Sequence, residues 1–119
     1  MRTLAVGLVM LLAAAAVLMA HHGLAQFDQT KRVTLVGTVT DFHFVTPHAI
    51  VEVDVKDDKG QTQHWNAEMT AAPNLKGWTA TSLEPGNTVT VTGYRAKNGS
   101  FYIWVIQLTS SNGTRLRGA

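Results

Sequence analysis

The chain has 119 residues, ten Lys and Arg against eight Asp and Glu, and no cysteine. That length holds one domain plus a targeting segment, and the missing cysteines exclude disulfides, thiolate metal sites and cysteine nucleophiles. The near-neutral charge lacks the basic stripe of a phosphate-backbone binder, so nucleic acid is not expected among the partners.

Residues 1–20 differ from everything after them. Arg2 precedes an uncharged apolar run from Leu4 to Ala20, the layout of a secretory signal peptide helix. The run is short against the roughly 20 apolar residues that cross a bilayer, so cleavage is favoured over an uncleaved anchor. Export follows: the periplasm of a Gram-negative bacterium, or secretion. Cutting after Ala20 leaves a chain that begins His21-His22. Cutting after Ala25 follows Gly23-Leu24-Ala25, a better small-x-small match, and discards both histidines. With the first cut the mature chain loses Arg2, and its net charge becomes +1, nine Lys and Arg against eight acids.

An N-terminal arm is expected over residues 21–32, a β-barrel domain over 33–110 and a flexible tail over 111–119, where Arg115 and Arg117 sit among Ser, Asn, Gly and Thr. Residues 33–44 form a long β-branched and aromatic run with Gly37 inside it, the mark of a bulge or tight bend. Val51, Val53 and Val55 alternate with Glu52, Asp54 and Lys56, the period of a half-buried strand. The turn at residues 57–60 returns the chain as a third strand, with Trp65 and Ala67 facing in. Pro73 and Gly77 bracket one or two helical turns around Asn74-Leu75-Lys76. A turn at residues 84–87 leads to a strand over 88–95, and Asn98-Gly99 predicts a hairpin to the last strand. The order βββαββ predicts an all-β fold with one short helix: a small five-stranded OB-like Greek-key barrel. A generic five-stranded barrel or small sandwich is the alternative.

The five histidines carry the most chemistry. A chain that begins with histidine offers an α-amine of pKa roughly 7.7–8.0, which a metal can deprotonate near neutral pH. Amine and imidazole of His21 then close a chelate ring, and a second imidazole from His22 or His48 extends an all-nitrogen set suited to Cu(II). His48 follows Pro47 at a strand corner, which the proline stiffens. The competing reading makes His21 and His22 the polar end of a signal peptide and His48 a surface residue. His64 shares a face with Asn66 and Glu68 and reads as a solvated strand residue, and His43 lies on the face that carries Asp41.

Aromatic residues crowd the barrel region: Phe42, Phe44, Trp65, Trp78, Tyr94, Phe101, Tyr102 and Trp104. OB-folds bind ligands across strands two and three and the adjoining loops, which makes His43, Trp65 and Trp78 candidates for a ligand face. The last strand is apolar on both faces, and core packing is the stronger reading there. No Gly-x-Ser-x-Gly, phosphate loop or His-Glu-x-x-His helix is present, so hydrolytic or transfer chemistry has no visible apparatus.

Five short segments act together: Ala20-His21-His22-Gly23-Leu24, Thr46-Pro47-His48, Gly77-Trp78, Leu83-Glu84-Pro85-Gly86 and Val89-Thr90-Val91-Thr92-Gly93-Tyr94. With them the chain resembles a group of small exported bacterial proteins, the domain-of-unknown-function family numbered 6152. Gly23-Leu24 stands where Ser-Phe is usual, and Thr46 where Asn is usual. The resemblance implies export and a small β-barrel, lends weight to His21, His22 and His48 as a set, and supplies no activity. The expected function is an exported metal-capturing module, with Cu(II) as its ion. The alternative is a metal-free OB-like module that binds an envelope protein or glycan.

Overall fold

A computed structural model describes residues 24–117. The apolar segment 1–20, the cleavage point after Ala20 and both His21 and His22 lie outside the described residues. Six strands follow one another: β1 Val33–His43, β2 Ile50–Lys56, β3 Thr62–Glu68, β4 Thr88–Arg95, β5 Tyr102–Ser110 and β6 Arg115–Arg117. They are ordered β3-β2-β1-β4-β5-β6 in one sheet, and a parallel pairing of β3 with β5 closes the first five into a barrel. This is the predicted OB-like barrel.

Alternation builds the interior. Val51, Val53 and Val55 are buried, and across the ladder Val51 faces Ala67 and Val53 faces Trp65. Val89 and Val91 of β4 and Ile103, Val105 and Leu108 of β5 complete the wall, while Met69, Leu75 and Leu83 from the loops close the ends. Two irregularities reset the alternation. Thr40 is an extra residue in β1, where Val39 pairs with Val53 but Asp41 already pairs with Glu52. Ile106 is extra in β5, where Thr92 pairs with Gln107 and Gly93 with Val105. Each insertion shifts the inward parity by one residue.

The bulge in β1 therefore falls three residues after Gly37. Gly37 serves close approach instead: a Cβ there would fall on the Asp54 carbonyl and within 2.9 Å of the Val53 and Val55 side chains.

Two expectations need correction. The segment with Pro73 forms a single 3-10 turn, Ala72–Asn74, with no α-helical turn around Leu75. An isolated α-turn fixes several dihedrals for one hydrogen bond, and here Leu75 leaves the helical region to reach the core, where it is buried. The supposed flexible tail contains β6, so the barrel carries a sixth strand. Arg115–Arg117 pairs with Thr109–Gln107, and Leu116 packs half-buried against the core. Local polarity hid the single inward residue of Arg-Leu-Arg.

Candidate functional site

The parallel seam between β3 and β5 sets Glu68 opposite Trp104. His48 lies on top of both. Its Nδ1 is 2.6 Å from Glu68 Oε1, and its ring stands edge-on to the Trp104 indole at 5.3 Å. The corner is fixed by the next residue. Ala49 donates its N–H to Thr70 and accepts from Met69, so its backbone is clamped to the end of β3. The Thr46–Pro47 peptide before it is cis. A carboxylate this close to Nδ1 favours the tautomer with its proton on that nitrogen and its lone pair on Nε2, as beside metal-binding histidines.

The same indole holds the N-terminal arm. Phe27 is 3% exposed and packs its ring against Trp104 at 6.0 Å and Tyr102 at 6.1 Å. Backbone bonds pin it on both sides: Asp28 N–H donates to the Arg95 carbonyl, and Lys97 N–H donates to the Gln26 carbonyl. The apolar outer face of β5 is thus explained by the arm that covers it. A surface cleft of about 460 Å³ opens beside the arm, lined by Gln26, Phe27, Glu68, Lys97, Asn98 and Tyr102. Burial pushes the Tyr102 phenol up, with the Glu68 carboxylate adding to the effect.

Farther along the outer face lies a second group. The Thr40 bulge turns Phe42 inward against Phe44 and Trp78 and brings Asp41 and His43 outward, over Glu52. Both oxygens of Glu52 are engaged by imidazoles: His43 Nε2 at 2.6 Å from Oε2 and His64 Nε2 at 2.9 Å from Oε1. His64 Nδ1 is 2.7 Å from Asp54 Oδ1, and Asp41 Oδ2 is 3.5 Å from His43 Nε2. The Glu52 hydrogen bond raises the His43 pKa, and those from Asp54 and then Glu52 raise that of His64. Glu52 is held below its ordinary range by His64 and His43.

These shifts fix a pH window for the metal-free protein. Raised imidazole pKa values stabilise the fold fully below the ordinary 6.5, and that contribution is lost as pH rises through the folded values. The lowered Glu52 value stabilises above its ordinary 4.5 and is lost on acidification. The cluster therefore contributes most between those limits. Because the groups are largely exposed, Glu52→Gln should lower Tm at pH 5.5 by no more than about 4 °C. The difference should shrink toward pH 9, as thermal melts would show.

Of the residues singled out from sequence, His48 stands at the Glu68–Trp104 seam and His43 in the outer cluster. Trp65 is not on a ligand face: it is 3% exposed, capped by Phe101 and by the Arg95 guanidinium 5.1 Å from its ring. Its inward position in β3 requires this. Trp78 is half-buried over Phe42 on a shallow cleft with Phe44, Pro73 and Leu75. His64 is a central member of the cluster, where sequence showed only a solvated residue. Phe27 also escaped notice, although a lone aromatic between Gln26 and Asp28 was the available signal.

A five-strand closed barrel, with a docked arm and a histidine-carboxylate outer face, defines a small OB-type protein. The chain belongs to the family of unknown function DUF6152, whose model matches residues 8–103. No curated protein matches the sequence significantly. Among solved structures the fold is similar to the mitochondrial single-stranded DNA binding protein Rim1 of S. cerevisiae, with TM-score 0.50 and 16% identity over 68% of this chain and 93% of that one. The N-terminal domain of PriB from Thermoanaerobacter tencongensis is also similar, with TM-score 0.46 and 18% identity over 69% of this chain and 97% of that one. The exclusion of nucleic acid is corrected here. It rested on net charge, and a protein sharing this barrel is a single-stranded DNA binder, so charge balance does not remove that class of partner.

Proposed function

We propose that the protein is an exported binding module that captures Cu(II) at its mature N-terminus. The His21 amine and imidazole form the chelate, and His22 or His48 completes it. One observation carries the reading: the arm and the corner histidine meet on one residue, with Phe27 at 6.0 Å and His48 at 5.3 Å from the Trp104 ring. Five peptide links join His22 to Phe27 and can span up to ~17 Å, so an anchored Phe27 keeps both N-terminal histidines within reach of His48. Glu68 on His48 Nδ1 leaves Nε2 for the metal.

Two measurements test this. The intact mass of the secreted protein should correspond to a start at His21. Cu(II) titrated into it should bind at least a hundredfold more tightly than into His21→Ala, His22→Ala protein. A start at Gln26, or equal affinity in the variant, overturns the reading.

The cleft beside the arm favours a second reading, a metal-free module for an envelope protein or glycan. Its binding would survive loss of both N-terminal histidines and fall on Tyr102→Ala. Single-stranded DNA, the ligand in the name of the yeast protein, belongs in the same titration, read by fluorescence anisotropy.

A further inference from the structure

We propose that the outer face of β1, β2 and β3 is a separate transition-metal site. There Asp41, His43 and Glu52 would ligate a borderline divalent ion such as Zn(II), with His64, oriented by Asp54, as a fourth donor.

The donor set is suited to such an ion. Two imidazoles and carboxylate oxygens bind Zn(II) at about 2.0–2.2 Å in tetrahedral geometry, which sets neighbouring donor atoms ~3.3 Å apart. His43 Nε2 lies 2.6 Å from Glu52 Oε2 and 3.5 Å from Asp41 Oδ2, and one ligand atom each from Asp41, His43 and Glu52 lies within 4.8 Å of the other two. The Nε2 of His64 approaches the other Glu52 oxygen at 2.9 Å. Rotation of the His64 side chain would bring its Nε2 to the ion held by the other three, and the ion would replace the protons now shared between nitrogen and oxygen.

The scaffold is rigid. All five side chains stand on paired strands, Asp41 directly opposite Glu52 and Asp54 directly opposite His64, and sites on strands are held more precisely than sites on loops. Asp54 accepts from His64 Nδ1 at 2.7 Å. That is the carboxylate–histidine–metal arrangement, in which the outer carboxylate fixes the tautomer and leaves Nε2 to the metal. Three carboxylates against two imidazoles also give the patch negative charge for a dication to neutralise. None of these residues belongs to the proposed copper chelate, so the two readings fail separately.

The test uses purified protein carrying His21→Ala and His22→Ala, which silences the N-terminus, with Zn(II) titrated against a chromophoric chelator. One equivalent of Zn(II) is expected to bind. Glu52→Gln and His64→Ala should each weaken it at least tenfold, and Asp54→Asn should weaken it roughly tenfold. Imidazole ¹⁵N shifts add an independent readout: Zn(II) should move His43 and His64 Nε2, and Asp54→Asn should redistribute the His64 tautomers. No Zn(II) binding in this background, affinity unchanged by Glu52→Gln and His64→Ala, or shifts confined to His48 would overturn the proposal.

Discussion

Gly93→Ala should be severely destabilising, by about 3–5 kcal/mol. At this point β4 crosses the bulge of β5, and a Cβ on Gly93 would coincide with the Trp104 carbonyl and stand 3.0 Å from Ile103 Cγ1. The obstacle is backbone, which cannot rotate away as a side chain can. Relief would require separating β4 from β5, whose pairing runs from Val89 to Arg95 and continues the barrel wall. Overpacking a well-filled interior costs about 1–3 kcal/mol when side chains can adjust. A clash with backbone belongs to the severe end, about 3–5 kcal/mol, against a total stability of about 5–15 kcal/mol for a domain. The expected fall in Tm is at least about 15 °C. Thr90→Ala, an exposed position on the same strand, should change stability by no more than about 0.5 kcal/mol and is the control. A Gly93→Ala protein that melts with wild type would show that the strands separate more readily than their packing suggests.

Phe27→Ala is the second large effect, and it tests the anchor. The ring is 3% exposed and touches two aromatic side chains. Truncating a buried phenylalanine costs about 3–5 kcal/mol, and the lower figure fits a segment that can lift off without leaving a cavity. The barrel closes through pairings that do not involve the arm, so the damage should be local. The amides of Asp28 and Lys97, bonded across to Arg95 and Gln26, should lose hydrogen-exchange protection while those of β2 and β4 keep theirs. Freeing the arm lengthens the tether that holds His22 near His48 from five residues to about eleven, counted to the start of β1. Chain entropy alone then weakens the proposed copper chelate about threefold. Unchanged protection at Asp28 and Lys97 would mean that the aromatic contacts do not hold the arm.

Strand positions were legible because β-branched residues alternate with polar ones in β2 and β4, and because Asn98-Gly99 and Pro85-Gly86 punctuate them. The barrel followed from their order. What stayed hidden depended on partners distant in the chain. His64 reads as a solvent residue from its neighbours Asn66 and Glu68, and becomes part of a network only when β2 places Glu52 and Asp54 beside it. Trp65 was correctly read as inward, yet its place among ligand-face candidates ignored the cover that Phe101 and Arg95 supply from another hairpin. Leu116 looked like part of a frayed end because one apolar residue between two arginines has no period, and only the edge of β5 gives it a face to bury. The docking of the expected arm was hidden for the same reason: Phe27 lies between Gln26 and Asp28 in sequence and finds Trp104 only in three dimensions.

The insertion at Thr40 has a further consequence. Before it, odd-numbered residues of β1 look inward; after it, even-numbered ones do. The bulge absorbs this one residue, so the outer cluster is fixed by the pairs on either side of it, not by the chemistry of residue 40. Exchanging that threonine for serine or valine should leave the face intact. Removing it would close the bulge and leave every pairing in place, because Asp41 would follow Val39 directly as Glu52 follows Val53 on the partner strand, and Phe42 and His43 would keep their faces. The outer face therefore tolerates a single-codon deletion at this point, and such a variant should keep the ladder of β1 with β2 unchanged.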